Sequence, residues 1–236
     1  MDYKKIAGII STSRKKTPAK VYIRGNFSQK DFEDEEFKAF GQENFWILIG
    51  DYPLIEEWIK KRKKEIKDHY VDIAARFSAL PLLDLSKVDA RVEPGALIRE
   101  GARIDKGCVV MMGAVINIGA EIGARTMVDM NAVVGARALI GRECHIGAGA
   151  VIAGVLEPPS EKRVIIEDRV LVGANAVVLE GVKVGQRSVV AAGAVVLEDV
   201  KPGVVVAGVP AKVIGKAAEI SEKEKISILK SLRRHR

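Results

Sequence analysis

The sequence predicts a mainly β protein whose larger part is a parallel β-helix, and three observations predict it. Every sixth residue from Val92 to Ile152 is Val or Ile, running through Ile98, Ile104, Val110, Ile116, Ile122, Val128, Val134, Ile140 and Ile146. Two residues before each of these stands Ala, Cys or Thr, from Ala90 to Ala150. All twelve aromatic residues lie at or before Phe77. A helix spaces its apolar residues by three and four and a coiled coil by heptads, so an unbroken six fits neither. Residues two apart in a strand share a face, so each small and aliphatic pair points inward together and a turn follows. Stacked rungs of this kind leave no interior room for rings, which accounts for the missing aromatics.

Residues 1–88 must therefore have a different core. Strand-like VYIRG and FWILIG mix there with helix-like LIEEWIKKRKKEIKDHYVDIAARF, which predicts an N-terminal α/β domain. The β-helix is expected over 89–213. Its ladder stops after Ile152 and resumes at Ile166, continuing through Val172, Val178, Val184, Val190 and Val196. The intervening VLEPPSEKR, residues 155–163, carries the prolines and charges of a loop leaving the coil. Such loops often carry function. In residues 214–236, AAEISEKEKISILKSLRR places Ile220, Ile226 and Leu229 at helical spacing, so a C-terminal helix is expected to cap one end of the solenoid.

The net charge of +7 divides as +3 over 1–88, zero over 89–213 and +4 over 214–236. A neutral solenoid, with the run KKRKKEIK reading as a solvated helix face, argues against a nucleic-acid partner. No signal-peptide run and no membrane-length apolar segment stands out, so a cytoplasmic location and no membrane partner are expected. Cys108 and Cys144 occupy the small inward slot of their hexads and read as packing. The three histidines and two cysteines show no ligand spacing, so no metal is expected.

The hexads GALIRE, GARIDK and GAVINI, with the ending VKPGVVVAGVPAKVIG, resemble the hexapeptide-repeat acyltransferases. More narrowly, VMMGAVINIGAEIGARTMVDMNAVVGARALIG and CHIGAGAVIAGVLEPPSEKRVIIEDRVLVGANAVVLEGV are similar to the tetrahydrodipicolinate N-acetyltransferases of lysine biosynthesis, with the succinyl-transferring relatives as nearest competitor. The resemblance implies a left-handed β-helix, a homotrimer with sites between neighbouring coils, and acetyl-CoA as co-substrate with no permanently bound cofactor. It also implies a dicarboxylate acceptor whose amine is acetylated after water opens its ring. A non-catalytic scaffold is the alternative. A zinc-hydratase variant needs three coil histidines, and residues 89–213 hold only His145.

Such a reaction needs a base near the amine, donors to the thioester oxyanion and cations for two carboxylates. Asp129 and Asn117 each follow an inward aliphatic residue and Asn131 lies two further on; all three suit turns as well as substrate contact. The resemblance favours a carboxylate at Asp129 engaging the amine. Glu157 opens the insert before two prolines, and the resemblance places that loop over the acceptor. His145, between inward residues 144 and 146, must point outward and has the intrinsic pKa of a base. Candidate bases rank Glu157, then Asp129, then His145. Arg163 and Arg169, beside the insert, are candidates for the substrate carboxylates. Gly173, Ala174, Ala191, Ala192 and Gly193 supply a small-residue surface for the pantetheine arm of CoA, and Lys201 and Lys212 could meet its phosphates. Packing in the hexad explains the small residues equally well.

Overall fold

The computed structural model describes residues 2–154 and 162–219. The chain forms two compact units, one over 10–81 and the other over 82 onward together with the first nine residues.

In the first unit, β1 (Pro18–Gly25), β2 (Lys38–Gln42), β3 (Phe45–Asp51) and β4 (Ile66–Ile73) form an antiparallel sheet in the order β2-β3-β1-β4. A helix, Tyr52–Lys61, carries Ile55 and Trp58 into the core with Val21, Ile23, Trp46 and Leu48. Phe27, Phe32 and Phe37 complete it, with the rings of Phe32 and Trp58 stacked at 5.0 Å. The helix-like stretch is thus shorter than expected. It ends at Lys61, and IKDHYVDI is strand, because the free edge of β1 pairs with it in register and sets Tyr22 opposite Tyr70.

In the second unit the hexads build a three-faced coil of two-residue strands. Face I stacks Arg91–Val92, Val109–Val110, Met127–Val128, His145–Ile146, Leu171–Val172 and Val189–Val190 in parallel. Face II runs from Leu97–Ile98 to Val195–Val196, and face III from Arg103–Ile104 to Lys183–Val184. A regular coil takes eighteen residues, so Val110, Val128 and Ile146 lie directly above one another. The inward ladder is the core: Ile116, Val128, Val134, Ile146, Ile152 and Ile166 are fully buried beside fully buried Ala114, Ala132 and Cys144. Burial pushes the Cys144 thiol up to about 11, consistent with a packing role.

The insert leaves the corner between faces II and III. Val151–Ile152 is the last strand before it on face II, and Ile165–Ile166 takes the next place on face III. No strand is skipped. The boundary expected at residue 88 falls instead between Pro81 and Leu82, since the N–H of Leu83 donates to the carbonyl of Ile98 at 2.8 Å and ties this segment to the first coils. At the other end, Val204–Ala207 adds to face I and Lys212–Lys216 returns antiparallel against it, so residues 214–216 are strand where a helix was expected. An edge of face I was available to pair, and that outweighs helix propensity. The expected helix with Ile220, Ile226 and Leu229 lies outside the described residues, as does Glu157.

Ion ladders climb the outside of the coil. Glu121 accepts from Arg163 at 2.7 Å and from Arg103 at 2.8 Å. Glu143 accepts from Arg125 at 2.6 Å and from Arg169 at 2.9 Å.

Close stacking makes some glycines obligatory. A Cβ on Gly123 would stand 2.6 Å from the carbonyl carbon of Gly141 in the next coil, whereas Gly193, at φ +69°, faces open space. Asn131 and Asn175 occupy the same turn position as Gly193 with φ of 56° and 55°. Gly123→Ala should therefore cost about 1–3 kcal/mol of stability through overpacking, and Gly193→Asn less than about 0.5 kcal/mol, as read by thermal unfolding.

The Glu121 ladder yields a pH dependence. Hydrogen bonding to Arg163, ahead of a smaller opposing effect of burial, holds the Glu121 carboxyl below its ordinary 4.5. A depressed folded value stabilises the protein above 4.5 and loses that contribution as pH falls through the folded value. Glu121→Gln should lower Tm by about 2–4 °C at pH 7, with the difference from wild type shrinking below about pH 4.

Candidate active site

The corner between faces I and II gathers most of the sequence candidates. Asp129 ends the strand Met127–Val128 there, and His145 opens the strand one coil later, pairing with Met127 in register. Their side chains meet: His145 Nε2 lies 3.3 Å from Asp129 Oδ2, with 22% and 18% of the side chains exposed. The other oxygen, Asp129 Oδ1, accepts the N–H of Met130 at 2.8 Å. One carboxylate oxygen is thus tied to its own turn and the other faces the imidazole. A neutral ring that donates its Nε2–H to Asp129 carries its lone pair on Nδ1, ready to take a proton.

Asp129 and His145 were expected as competing bases; the coil makes them one pair. The signal was present in the sequence. Residues sixteen apart are separated by one coil less two positions, which brings a turn residue beside the outward strand residue above it. Counting in eighteens rather than sixes reveals it.

The same corner continues upward through Gly147, Ala148 and Gly149, then Gly173, Ala174 and Asn175, then Ala191, Ala192 and Gly193. A Cβ on Gly173 would lie 2.4 Å from the N of Ala192, so packing alone requires that glycine. Ala174, Ala192 and Gly193 are exposed. Asn131 is exposed beside Asp129, and its Oδ1 lies over Gly113, where a Cβ would come within 2.1 Å. Lys212 pairs with Ala207, next to this corner.

Other candidates lie elsewhere. Asn117 sits at the corner between faces II and III and accepts the N–H of Ile118 at 2.8 Å, the ordinary work of a turn former. Arg163 lies at that corner too, donating to the carbonyl of Arg137 and to Glu121, both at 2.7 Å. Arg169 and Lys201 lie at the third corner, where Arg169 is bound to Glu143 and the carbonyl of Lys201 accepts from Ser188. Within one chain, neither arginine reaches the Asp129 corner, and both are already ion-paired. Among the described residues no helix is long and apolar enough to cross a membrane.

Residues 1–85 match the family described as "Tetrahydrodipicolinate succinyltransferase N-terminal". Residues 119–154 match "Bacterial transferase hexapeptide (six repeats)" and residues 163–198 match "Hexapeptide repeat of succinyl-transferase". Among solved structures, PerB from Caulobacter crescentus in complex with CoA and GDP-perosamine is 33% identical over 53% of this chain and 58% of that chain, with a TM-score of 0.48. The 2,3,4,5-tetrahydropyridine-2,6-dicarboxylate N-acetyltransferase of Alkaliphilus metalliredigens is 54% identical, covering 99% of this chain and 98% of its own. The enzyme of the same name from Thermotoga sp. is 57% identical, covering 99% of each. On that identity over nearly the whole length, the chain belongs to the 2,3,4,5-tetrahydropyridine-2,6-dicarboxylate N-acetyltransferase family.

Proposed function

We propose that the protein transfers an acetyl group from acetyl-CoA to the amino group of tetrahydrodipicolinate, whose ring is opened by water, giving N-acetyl-2-amino-6-oxopimelate and free CoA. The family membership supports the reaction, and the contact between His145 and Asp129 supports its proton transfer. The amine nitrogen attacks the thioester carbon, the C–S bond breaks, and the proton lost by the amine passes to His145 Nδ1. Asp129 holds the ring by its Nε2–H and stabilises the imidazolium that forms. Glu157 remains the candidate that the family resemblance places over the acceptor.

In this reading the pantetheine arm lies along Gly173, Ala174, Ala191, Ala192 and Gly193, where small side chains leave backbone amides accessible, and Lys212 receives a CoA phosphate. Asn131, on the same corner, contacts the acceptor.

A homotrimer with sites between neighbouring coils completes the proposal. Its support is face II, whose outward side chains are Leu97, Val115, Val133, Val151, Val177 and Val195, all aliphatic. Asp129 and Asn117 lie on the two corners that bound this face, so a neighbour packed there brings Asn117 of one chain toward Asp129 of another.

Acceptor-dependent CoA release tests the reaction, with a higher kcat/KM for acetyl-CoA than for succinyl-CoA. His145→Ala should lower kcat roughly 100-fold with little change in acceptor KM, and Asp129→Asn about tenfold. The double variant should be no worse than His145→Ala, because the two side chains act as a unit. Multiplying losses would separate their roles. A loss confined to Glu157→Gln would transfer the base to the insert.

A further inference from the structure

The sheet of the first unit has a second face. Trp46, Leu48, Val21 and Ile23 point to the core, so their neighbours point away from it. β3 contributes Phe45, Ile47 and Ile49 to this outer face, β2 contributes Lys38, Phe40 and Gln42, β1 contributes Lys20, Tyr22 and Arg24, and β4 contributes Asp68, Tyr70 and Asp72. Phe40 is 54% exposed, Phe45 45%, Ile49 39% and Tyr70 68%, a contiguous aromatic and aliphatic patch of the kind that marks an interaction site.

Charge on this face is arranged by strand. Acid lies on the β4 edge, in Asp68 and Asp72, and base lies on β1 and on the β2 edge, in Lys38. Lys20 stands directly across from Asp72, and Arg24 from Asp68. Yet none of Lys20, Arg24, Lys38, Asp68 and Asp72 forms a side-chain ion pair among the described residues. Their charges are left for a partner.

We propose that this face binds the same face of a second copy of the chain, about a two-fold axis parallel to the strands. Sheets packed face to face lie about 10 Å apart with nearly aligned strands. An axis across the strands would set β4 on β4 and oppose aspartates to aspartates. An axis along them sets β4 on β2 of the other copy and β1 on its β3. The strand registers then fix the levels: Asp72 meets Lys38, Tyr70 meets Phe40, and Asp68 meets Gln42. Tyr22 lies over Ile47, and Arg24 over the ring of Phe45, a favourable cation–π placement. Both copies use one patch, as a two-fold interface requires. This contact does not depend on the reaction proposed above or on how the coils associate.

Light scattering on the full-length chain tests it. Wild type should have about twice the mass of Ile47→Lys, which puts a charge at the patch centre. Lys38→Asp, which sets acid against Asp72, should also halve the mass, and Lys38→Asp combined with Asp72→Lys should restore it. That rescue cannot come from misfolding, and acceptor-dependent CoA release in the same samples reports that the coil remains folded. A wild-type mass in Ile47→Lys, or a charge swap that fails to restore the assembly, would overturn the proposal.

Discussion

One set of hydrogen bonds governs the larger unit: the backbone N–H of each strand donates to a carbonyl one coil later. Met127 donates to Cys144 and Asp129 to Ile146, seventeen residues on, and across the insert Leu139 donates to Val164 and Gly141 to Ile166, twenty-five on. The coils on either side of the eight added residues therefore remain in step. Because buried peptide groups must be paired, a slip by one residue would break the ladder and turn every inward aliphatic outward. Register is consequently strongly specified by both polar and apolar terms.

The proposed chemistry depends on that register. Asp129 and His145 are brought within 3.3 Å because one ends a strand and the other begins the strand stacked above it. Neither needs a special loop. The same stacking demands glycine where coils nearly touch, at Gly147 and Gly173, and so contributes to the small-residue corner on which the CoA arm is proposed to lie. Packing and the proposed binding ask for the same residues there, which is why the sequence alone could not separate the two.

The hexad made the coil, its inward ladder and the site of the insert legible, because a period of six maps directly onto one strand and one corner. The pairing of His145 with Asp129 was hidden, since it depends on the longer period of three strands per coil. Arg163 and Arg169 looked free because ion pairs to Glu121 and Glu143, distant in sequence, leave no local trace. Ile66–Ile73 read as helix because its charges continue the pattern of the helix before it, and only the edge of β1 decides otherwise. Lys212–Lys216 was likewise decided by an available edge strand. In each case a tertiary partner overrode a local preference.

The imidazole nitrogens of His145 report most directly on whether coil register builds the dyad. Nitrogen-15 spectra of the labelled histidines, recorded where the ring is neutral, should show His145 protonated at Nε2, and Asp129→Asn should shift its signals and change the tautomer balance. A ring protonated at Nδ1, with signals indifferent to Asp129→Asn, would contradict the account.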